Sequence, residues 1–343
     1  MMIEKNHVLL MAALSLPMLS VLAVPSKRTD KGYIDAVTKG ADIWIQLSVV
    51  DDGGAPVPDA DVRASLSFHD GFRHVQDRTD SLGNVSVRGV TTGDDIVLRI
   101  VKDGYYSSEY KACYLRLAEN RAVEDGRWQP WGEKRTVVLR KIGNPAKLCR
   151  FRDFLTVPST NEWLGLDLVM GDWTKPYGKG EVEDLQLNVL WDGLPKAGSK
   201  NCMVAVRVPG NCNAGYFADK VKESEYASPL KASTNNVYAI SEFDWIERNQ
   251  GLRMQEKSFW NDKSLVLRLR CEVDDHGEIV KANYCCVQKL EVSPGTKGNA
   301  ILDLATSFNP SVNDVNLEDA ERARLSRLRY KHMLESERKT HAH

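Results

Sequence analysis

The residue types that could do chemistry are thinly spread along this chain of 343 residues. A nucleophilic triad needs a serine or cysteine in a strained turn beside a histidine and an acid. No G-x-S-x-G occurs, and neither does a phosphate loop or a G-x-G-x-x-G. Beyond the first apolar run the histidines are His69, His74, His276, His332, His341 and His343. The last three sit in the terminal tail and His276 sits in the turn DDHG. His69 and His74 flank the loop at Gly71 without the helical i, i+4 spacing of a zinc protease. They read as polar loop residues, and no metal ligands are assigned. Paired carboxylates could hydrolyse a glycoside. Asp167, Asp172 and Asp184 gather around the turn from Trp173 to Tyr177, and Asp244 is next to Trp245. Turn-building roles are the stronger expectation for these acids. No catalytic residue and no cofactor is expected.

Aromatic residues in Pro/Gly loops give the best hint of recognition. Trp128 and Trp131 lie in GRWQPWGE, and Trp173 and Tyr177 in DWTKPYGKG. Such rings can stack on a sugar face or grip a peptide, and tryptophan adds one polar handle. These four are the candidate ligand-binding residues. The alternative is that each tryptophan plugs the end of a sandwich or an interdomain seam.

The seven cysteines are Cys113, Cys149, Cys202, Cys212, Cys271, Cys285 and Cys286. There is no C-x-x-C and no histidine pair to complete a zinc site. Cys202 with Cys212 would close a loop around VRVPGN, and Cys113 with Cys149 would join the end of one strand region to the start of the next. Spacing alone cannot decide connectivity, and the odd count leaves one thiol over. Cys285 and Cys286 are neighbours on opposite faces of a strand. One is expected in the core and the other at the surface or bridged.

The elements that must position these residues are mostly strands. Lys and Arg number 46 against 47 Asp and Glu, a balance that gives no footprint for nucleic acid. Residues 1–23 read as a signal peptide cut after Ala23: Lys5 precedes an uncharged apolar run from Val8 to Ala23 that is shorter than a spanning helix. After cleavage no membrane span is expected, and the chain would be secreted or periplasmic, where disulfides can form. Residues 24–40 are polar and read as a linker. From 41 to 145 strands alternate with turns, as in Val62, Ala64, Leu66 and Phe68 or Ile96, Leu98 and Ile100, the period of half-buried strands in a sandwich. A second β region spans 146–315. Its strongest signal is the hairpin with arms at Leu265–Cys271 and Ile279–Asn283 around DDHGE. Residues 216–262 read as long loops. Residues 316–343 read as a C-terminal helix and tail. Asn316 is its expected N-cap, and Leu317, Ala320, Arg324 and Leu328 form its expected apolar stripe. The fold class is mainly β: two β-sandwich-like domains and a C-terminal α-helix.

The first region also resembles a known family. Asp51–Arg63 (DDGGAPVPDADVR), Thr79–Thr91 (TDSLGNVSVRGVT), Ile96–Ser108 (IVLRIVKDGYYSS) and Val137–Pro145 (VVLRKIGNP) look like the carboxypeptidase regulatory-like domain, a transthyretin-like sandwich. In carboxypeptidases this is an accessory module without catalytic residues, so the resemblance implies binding or stability. Dioxygenases on related sandwiches use an iron site of two tyrosines and two histidines, and the strand regions here do not supply those histidines. Leu166–Gln186, Arg268–Cys285 and Phe308–Ala320 are similar to the C-terminal part of uncharacterised secreted bacterial proteins that carry a regulatory-like domain. The expected function is an exported, non-enzymatic binding or accessory protein recognising a glycan or an envelope protein. The alternative is an assembly component docking a larger partner through its C-terminal helix, and a glycan-active hydrolase ranks last.

Overall fold

The structure, a computed structural model, describes residues 27–191, 201–235, 237–248, 259–294 and 299–340. The signal-peptide reading of residues 1–23 and its cut after Ala23 lie outside the described residues, as do His341 and His343.

The chain is mainly β. A helix, α1 (Lys31–Lys39), leads into β1 (Ala41–Asp51), β2 (Asp61–Phe68), β3 (Gly71–Arg78), β4 (Asn84–Thr91), β5 (Asp95–Val101) and β6 (Ser108–Cys113). A short helix, α2 (Tyr114–Leu117), precedes β7 (Val123–Glu124), β8 (Arg127–Trp128) and β9 (Glu133–Leu139). One sheet runs β4-β1-β8-β7 with β9 beside β1, and the other runs β3-β2-β5-β6. The alternation sets which face is buried. Ile43, Ile45, Leu47 and Val49 of β1 meet Val62, Ala64, Leu66, Ile96, Leu98 and Ile100 across a common core. At the TDSLG turn the Asp80 carboxylate accepts from the N–H groups of Leu82 and Asn84, at 2.9 and 2.8 Å. Gly83 there has φ +75°, and a Cβ on it would stand 2.4 Å from the Val49 carbonyl, so only glycine fits.

The polar linker expected at 24–40 is largely helix. Asp30 caps it by accepting from Gly32 N–H at 2.8 Å. Tyr33, Ala36 and Val37 lay one edge on the first core. That edge is only three residues wide in a segment otherwise polar, which is why composition read it as a linker.

The second sandwich comprises β10 (Cys149–Thr156), β11 (Trp163–Asp167), β12 (Asp172–Trp173), β13 (Leu185–Trp191), β14 (Asn201–Arg207), β15 (Ala214–Asp219), β16 (Glu242–Arg248), β17 (Lys263–Val273), β18 (Ile279–Pro294) and β19 (Ala300–Asn309). Its sheets are β10-β19-β18-β17-β15 and β12-β11-β13-β14-β16. Leu166, Leu187 and Val206 of one sheet pack toward Leu265, Leu267 and Leu304 of the other. β17 and β18 form the hairpin read from the sequence. Its turn is closed by Asp274, whose carboxylate accepts from His276 and Glu278 N–H groups, both at 2.9 Å. The expected loops at 216–262 contain two strands, β15 and β16, while the described residues of 220–241 carry only isolated bridges.

The C-terminal helix, α3 (Ala320–Thr340), starts later and faces differently than expected. Its first turn is capped by Asp319, which accepts from Glu321 N–H at 2.8 Å. Asn316 instead donates to the Asn144 carbonyl and accepts from Glu318 N–H. The buried edge is Ala323, Ser326 and Met333, whereas Leu325 and Leu328 are exposed. That edge is mixed in polarity because it packs against the first sandwich. Ser107 N–H donates to Ser326 Oγ at 3.1 Å, and Arg329 reaches Ser107 Oγ and Glu225. Below it Tyr106, Tyr226 and Ala323 form a small apolar cluster between the sandwiches. Glu318, almost fully buried, accepts from Tyr106 OH, Gly143 N–H and Asn144 N–H at 3.0, 2.6 and 2.9 Å. The Ala323, Ser326 and Met333 edge of α3 is therefore occupied within the chain, while Leu328 of the expected stripe and its neighbour Leu325 stay exposed.

Cys113 and Cys149 are not bonded to each other, and the Cys202–Cys212 expectation rests on a side chain outside the described residues. Cys113, Cys149 and Cys212 are free thiols. Cys202 is near the start of β14, roughly 16 Å of strand before Arg207. Cys212 is held past the other end of that strand, because its neighbour Asn213 donates to the Pro209 carbonyl. Cys113 ends β6, whose first residue, Ser108, meets the seam through its Oγ and Glu225 N–H. Cys149 belongs to the second sandwich. Cys285 and Cys286 are both buried, where one was expected at the surface. Cys285 enters the main core, and Cys286 enters a smaller cluster with Ala232 and Leu317 on the opposite face of β18.

Candidate functional site

The four aromatic candidates separate into two kinds. Trp128 has no exposed surface. It stacks on Tyr114 at 5.5 Å, meets Tyr33 edge-on at 5.8 Å, and donates its indole N–H to the Thr91 carbonyl at 3.2 Å. Trp173 is likewise buried and donates to the Thr156 carbonyl at 2.9 Å. Both plug sandwich ends and are corrected from ligand-binding to core residues. A buried indole satisfies its one donor and contributes its large apolar area to packing. Tyr177 is exposed and donates to Glu162 at 2.9 Å, alone of the four on the second sandwich's surface. Trp131 is half-buried and meets none of the other three.

Its partner is Trp44, which the loop-based reading missed. The two rings stand edge to face at 5.8 Å on the outer face of the larger first sheet. β1 alternates, so that Trp44, Gln46 and Ser48 point outward while Ile43, Ile45 and Leu47 point inward. The signal was present in ADIWIQLSVVD: the tryptophan shares its phase with Asp42, Gln46 and Ser48. Gly132 lets the two rings approach, since a Cβ there would lie 2.9 Å from the Trp44 ring. Trp44 donates its indole N–H to Ser86 Oγ at 2.9 Å, and Gln46 donates to the Gly132 carbonyl at 3.1 Å. The guanidinium of Arg88 lies 4.4 Å from the Trp44 ring centre, and that of Arg127 lies 5.0 Å from Trp131. Next to the tryptophans a shallow depression of about 540 Å³ is lined by Gln46, Ser48, Asn84, Ser86, Lys134 and Thr136. Indole rings, each with a guanidinium over one face, stand beside a floor of hydroxyl, amide and ammonium groups that can hydrogen-bond a ligand.

The carboxylates are engaged in building a turn. Asp167 and Asp184 are almost completely buried. Asp167 Oδ1 accepts from Val169 and Met170 N–H at 2.9 and 3.1 Å, and Oδ2 from Glu181 and Val182 N–H at 3.0 and 3.2 Å. Asp184 accepts from Leu168 N–H at 3.0 Å and takes the Arg270 fork at 2.8 Å through both Nε and Nη2. Burial acts most strongly on Asp167 and would raise its pKa, but these four backbone donors together hold it below the usual carboxylate value. Asp172 accepts from Trp173 and Lys179 N–H at 2.8 and 2.9 Å. These are structural roles, with the oxygens spent on backbone donors. His69 and His74 do not meet either: one contacts the Thr38 carbonyl at 2.9 Å and the other Ser65 Oγ at 3.3 Å. Among the described residues no group of histidine, cysteine and acidic side chains is arranged to hold a metal ion. Nor is any helix among them long and apolar enough to cross a membrane.

No family model matches the chain, and no curated protein matches it in sequence. The resemblance to the regulatory-like domain thus has no family-model support, and what stands is a β-rich chain. Solved structures share partial likeness. A 3-chlorocatechol 1,2-dioxygenase from Rhodococcus opacus 1CP matches at 16% identity over 31% of this chain and 62% of its own, with a TM-score of 0.24. A hydroxyquinol 1,2-dioxygenase from Pseudomonas putida DLL-E4 matches at 13% identity over 31% and 58%, with a TM-score of 0.23. A DUF3823 family protein from Parabacteroides merdae matches at 8% identity over 77% of this chain and 97% of its own, with a TM-score of 0.19. This chain spans about three fifths of the first dioxygenase. At these TM-scores none of the three carries an argument about activity.

Proposed function

We propose that this is an exported, non-enzymatic binding protein of the cell envelope or extracellular space, and that its ligand is a glycan held on the outer face of the larger first sheet. The carrying observation is the half-buried Trp44–Trp131 pair standing beside a depression floored by Gln46, Ser48, Ser86, Lys134 and Thr136. A pyranose has an apolar face that stacks on an aromatic ring and a hydroxyl rim that needs donors and acceptors. This surface offers both on a rigid sheet. The first sandwich, dividing from the second near Pro145, would be the accessory module, in keeping with the regulatory-like pattern of its turns. Export fits the uncharged run from Val8 to Ala23.

The test is co-sedimentation of the chain from Val24 with peptidoglycan and a panel of insoluble polysaccharides. Saturable pelleting with one of them is expected. Trp44→Ala and Trp131→Ala should each weaken it roughly tenfold, the equivalent of about 1.4 kcal/mol. Absence of pelleting across the panel, or unchanged affinity in both variants, overturns the reading.

A further inference from the structure

Cys212 and Cys271 are brought together by an irregularity in β17. The β15–β17 ladder runs in register from Asp219 opposite Lys263 to Ala214 opposite Arg268. Past Leu269 the pairing of β17 with β18 slips, and Arg270 takes φ of 52°. In an unbroken strand Cys271 would share the inward face of Leu269. The left-handed residue between them is a bulge that re-aims the chain. Cys271 N–H now donates to Asn213 Oδ1 at 3.1 Å, and its thiol donates to the Cys212 carbonyl at 3.4 Å. The Cys271 sulfur therefore lies against the backbone of Cys212. Both sides are pinned: Asn213 donates to the Pro209 carbonyl, and Arg268 donates to the Cys212 carbonyl at 3.3 Å.

We propose that Cys212 and Cys271 are a disulfide-forming pair, a cross-link that fastens the edge strand β15 to the bulge of β17. The proposal is independent of the glycan reading. β15 closes one end of its sheet, with a single bridge from Gly215 to Ile240 on its outer side, and such an edge strand is where fraying begins. The bond would tie down the start of that strand and, through the bulge, the Arg270 side chain that reaches Asp167 and Asp184.

The oxidant is a small-molecule disulfide. The Cys212 thiolate attacks one of its sulfurs, forms a mixed disulfide and expels one thiolate. The Cys271 thiolate then attacks the Cys212 sulfur and expels the second. The protein loses two protons and two electrons, and one small disulfide becomes two small thiols. Burial, followed by contact with Cys212, pushes the Cys271 thiol up to about 12.

The experiment oxidises the reduced full chain with glutathione disulfide, blocks remaining thiols and digests with trypsin without reductant. The expected product is peptide Val208–Lys220 joined to peptide Cys271–Lys281, separated by dithiothreitol. Cys202→Ser should retain it and Cys212→Ser should abolish it. Oxidation should also raise Tm by several degrees, since the bond closes a long loop. A bond from Cys212 to the Cys202 peptide, a stable glutathione adduct on Cys212 without the link, or seven alkylated thiols after oxidation would each overturn the proposal. The wild-type peptide map decides the matter even if a variant fails to fold.

Discussion

Trp128 and Trp131 differ by three positions in one Pro/Gly loop, yet they belong to opposite sides of the same sheet. Arg127 pairs with Asp42, which fixes β8 beside β1 and sends Trp128 inward onto Tyr114. The chain then turns, and Trp131 emerges on the outer face against Trp44. Composition cannot separate the two, since both are tryptophans beside prolines; the β8 pairing that does so is only two residues long. Trp44 was legible in principle from its phase, but attention to loops passed over a strand. The two positions should behave differently. Trp128→Ala removes a buried ring and its donor and should cost about 3–5 kcal/mol. Trp131→Ala should cost under about 1 kcal/mol and act on binding instead. Urea unfolding of both variants, set beside their pelleting, checks this. Equal destabilisation would mean that Trp131 is also a core residue.

At the scale of elements the alternating pattern predicted strands well, because burial of one face dictates period two. What it could not show is where the period breaks. Strict alternation would put Cys271 in line with Leu269, and the bulge at Arg270 moves it out of line. That bulge carries the Arg270 guanidinium to Asp184 and Asp167, two buried carboxylates more than eighty residues away in sequence. Breaking such a pair strands a buried charge. Arg270→Gln should cost about 3–5 kcal/mol, although glutamine would still carry the left-handed backbone. The same turn should be sensitive to acid. Asp167 is more acidic folded than unfolded, so below the unfolded value of about 3.9 the unfolded chain binds more protons. Its contribution is complete above that value and is lost as pH falls through the folded one. Urea midpoints between pH 6 and pH 3 should drop, and Asp167→Asn should flatten the drop at the lower end. An unchanged slope would place the acid sensitivity elsewhere. The two helices failed in the sequence reading for a related reason. α1 hides three apolar residues in a polar run, and α3 buries alanine, serine and methionine rather than its leucines. α1 covers the core with a narrow edge, and α3 packs on a surface that is itself partly polar, so neither shows a broad apolar stripe.

The whole molecule depends on a seam that no local pattern announces. Tyr106 and Ser107 come from the first sandwich, Arg140, Gly143 and Asn144 from the connection, Tyr226 from the irregular segment, and Glu318 to Arg329 from the C-terminal end. Their sequence separations reach 222 residues. The contacts are mostly polar and satisfied by one another. Arg140 donates to the carbonyls of Tyr226, at 3.2 Å, and Ser228, at 2.5 Å; Tyr226 OH donates to the Leu317 carbonyl at 3.0 Å. A hydrogen bond to a charged group contributes about 1.5–3 kcal/mol and an ordinary one about 1. A seam with several of each couples two units that would otherwise melt separately. Calorimetry of the full chain should therefore show one cooperative transition. Removing residues 320–343 takes away Ala323, Ser326 and Arg329 while leaving the Glu318 carboxylate in place. The melt should then split into two transitions, with the second sandwich's core still ordered. Two transitions in the intact chain would mean that the seam is too weak to couple the sandwiches. A single unshifted transition after truncation would mean that α3 rides on a junction held by Glu318 and Tyr226 without it.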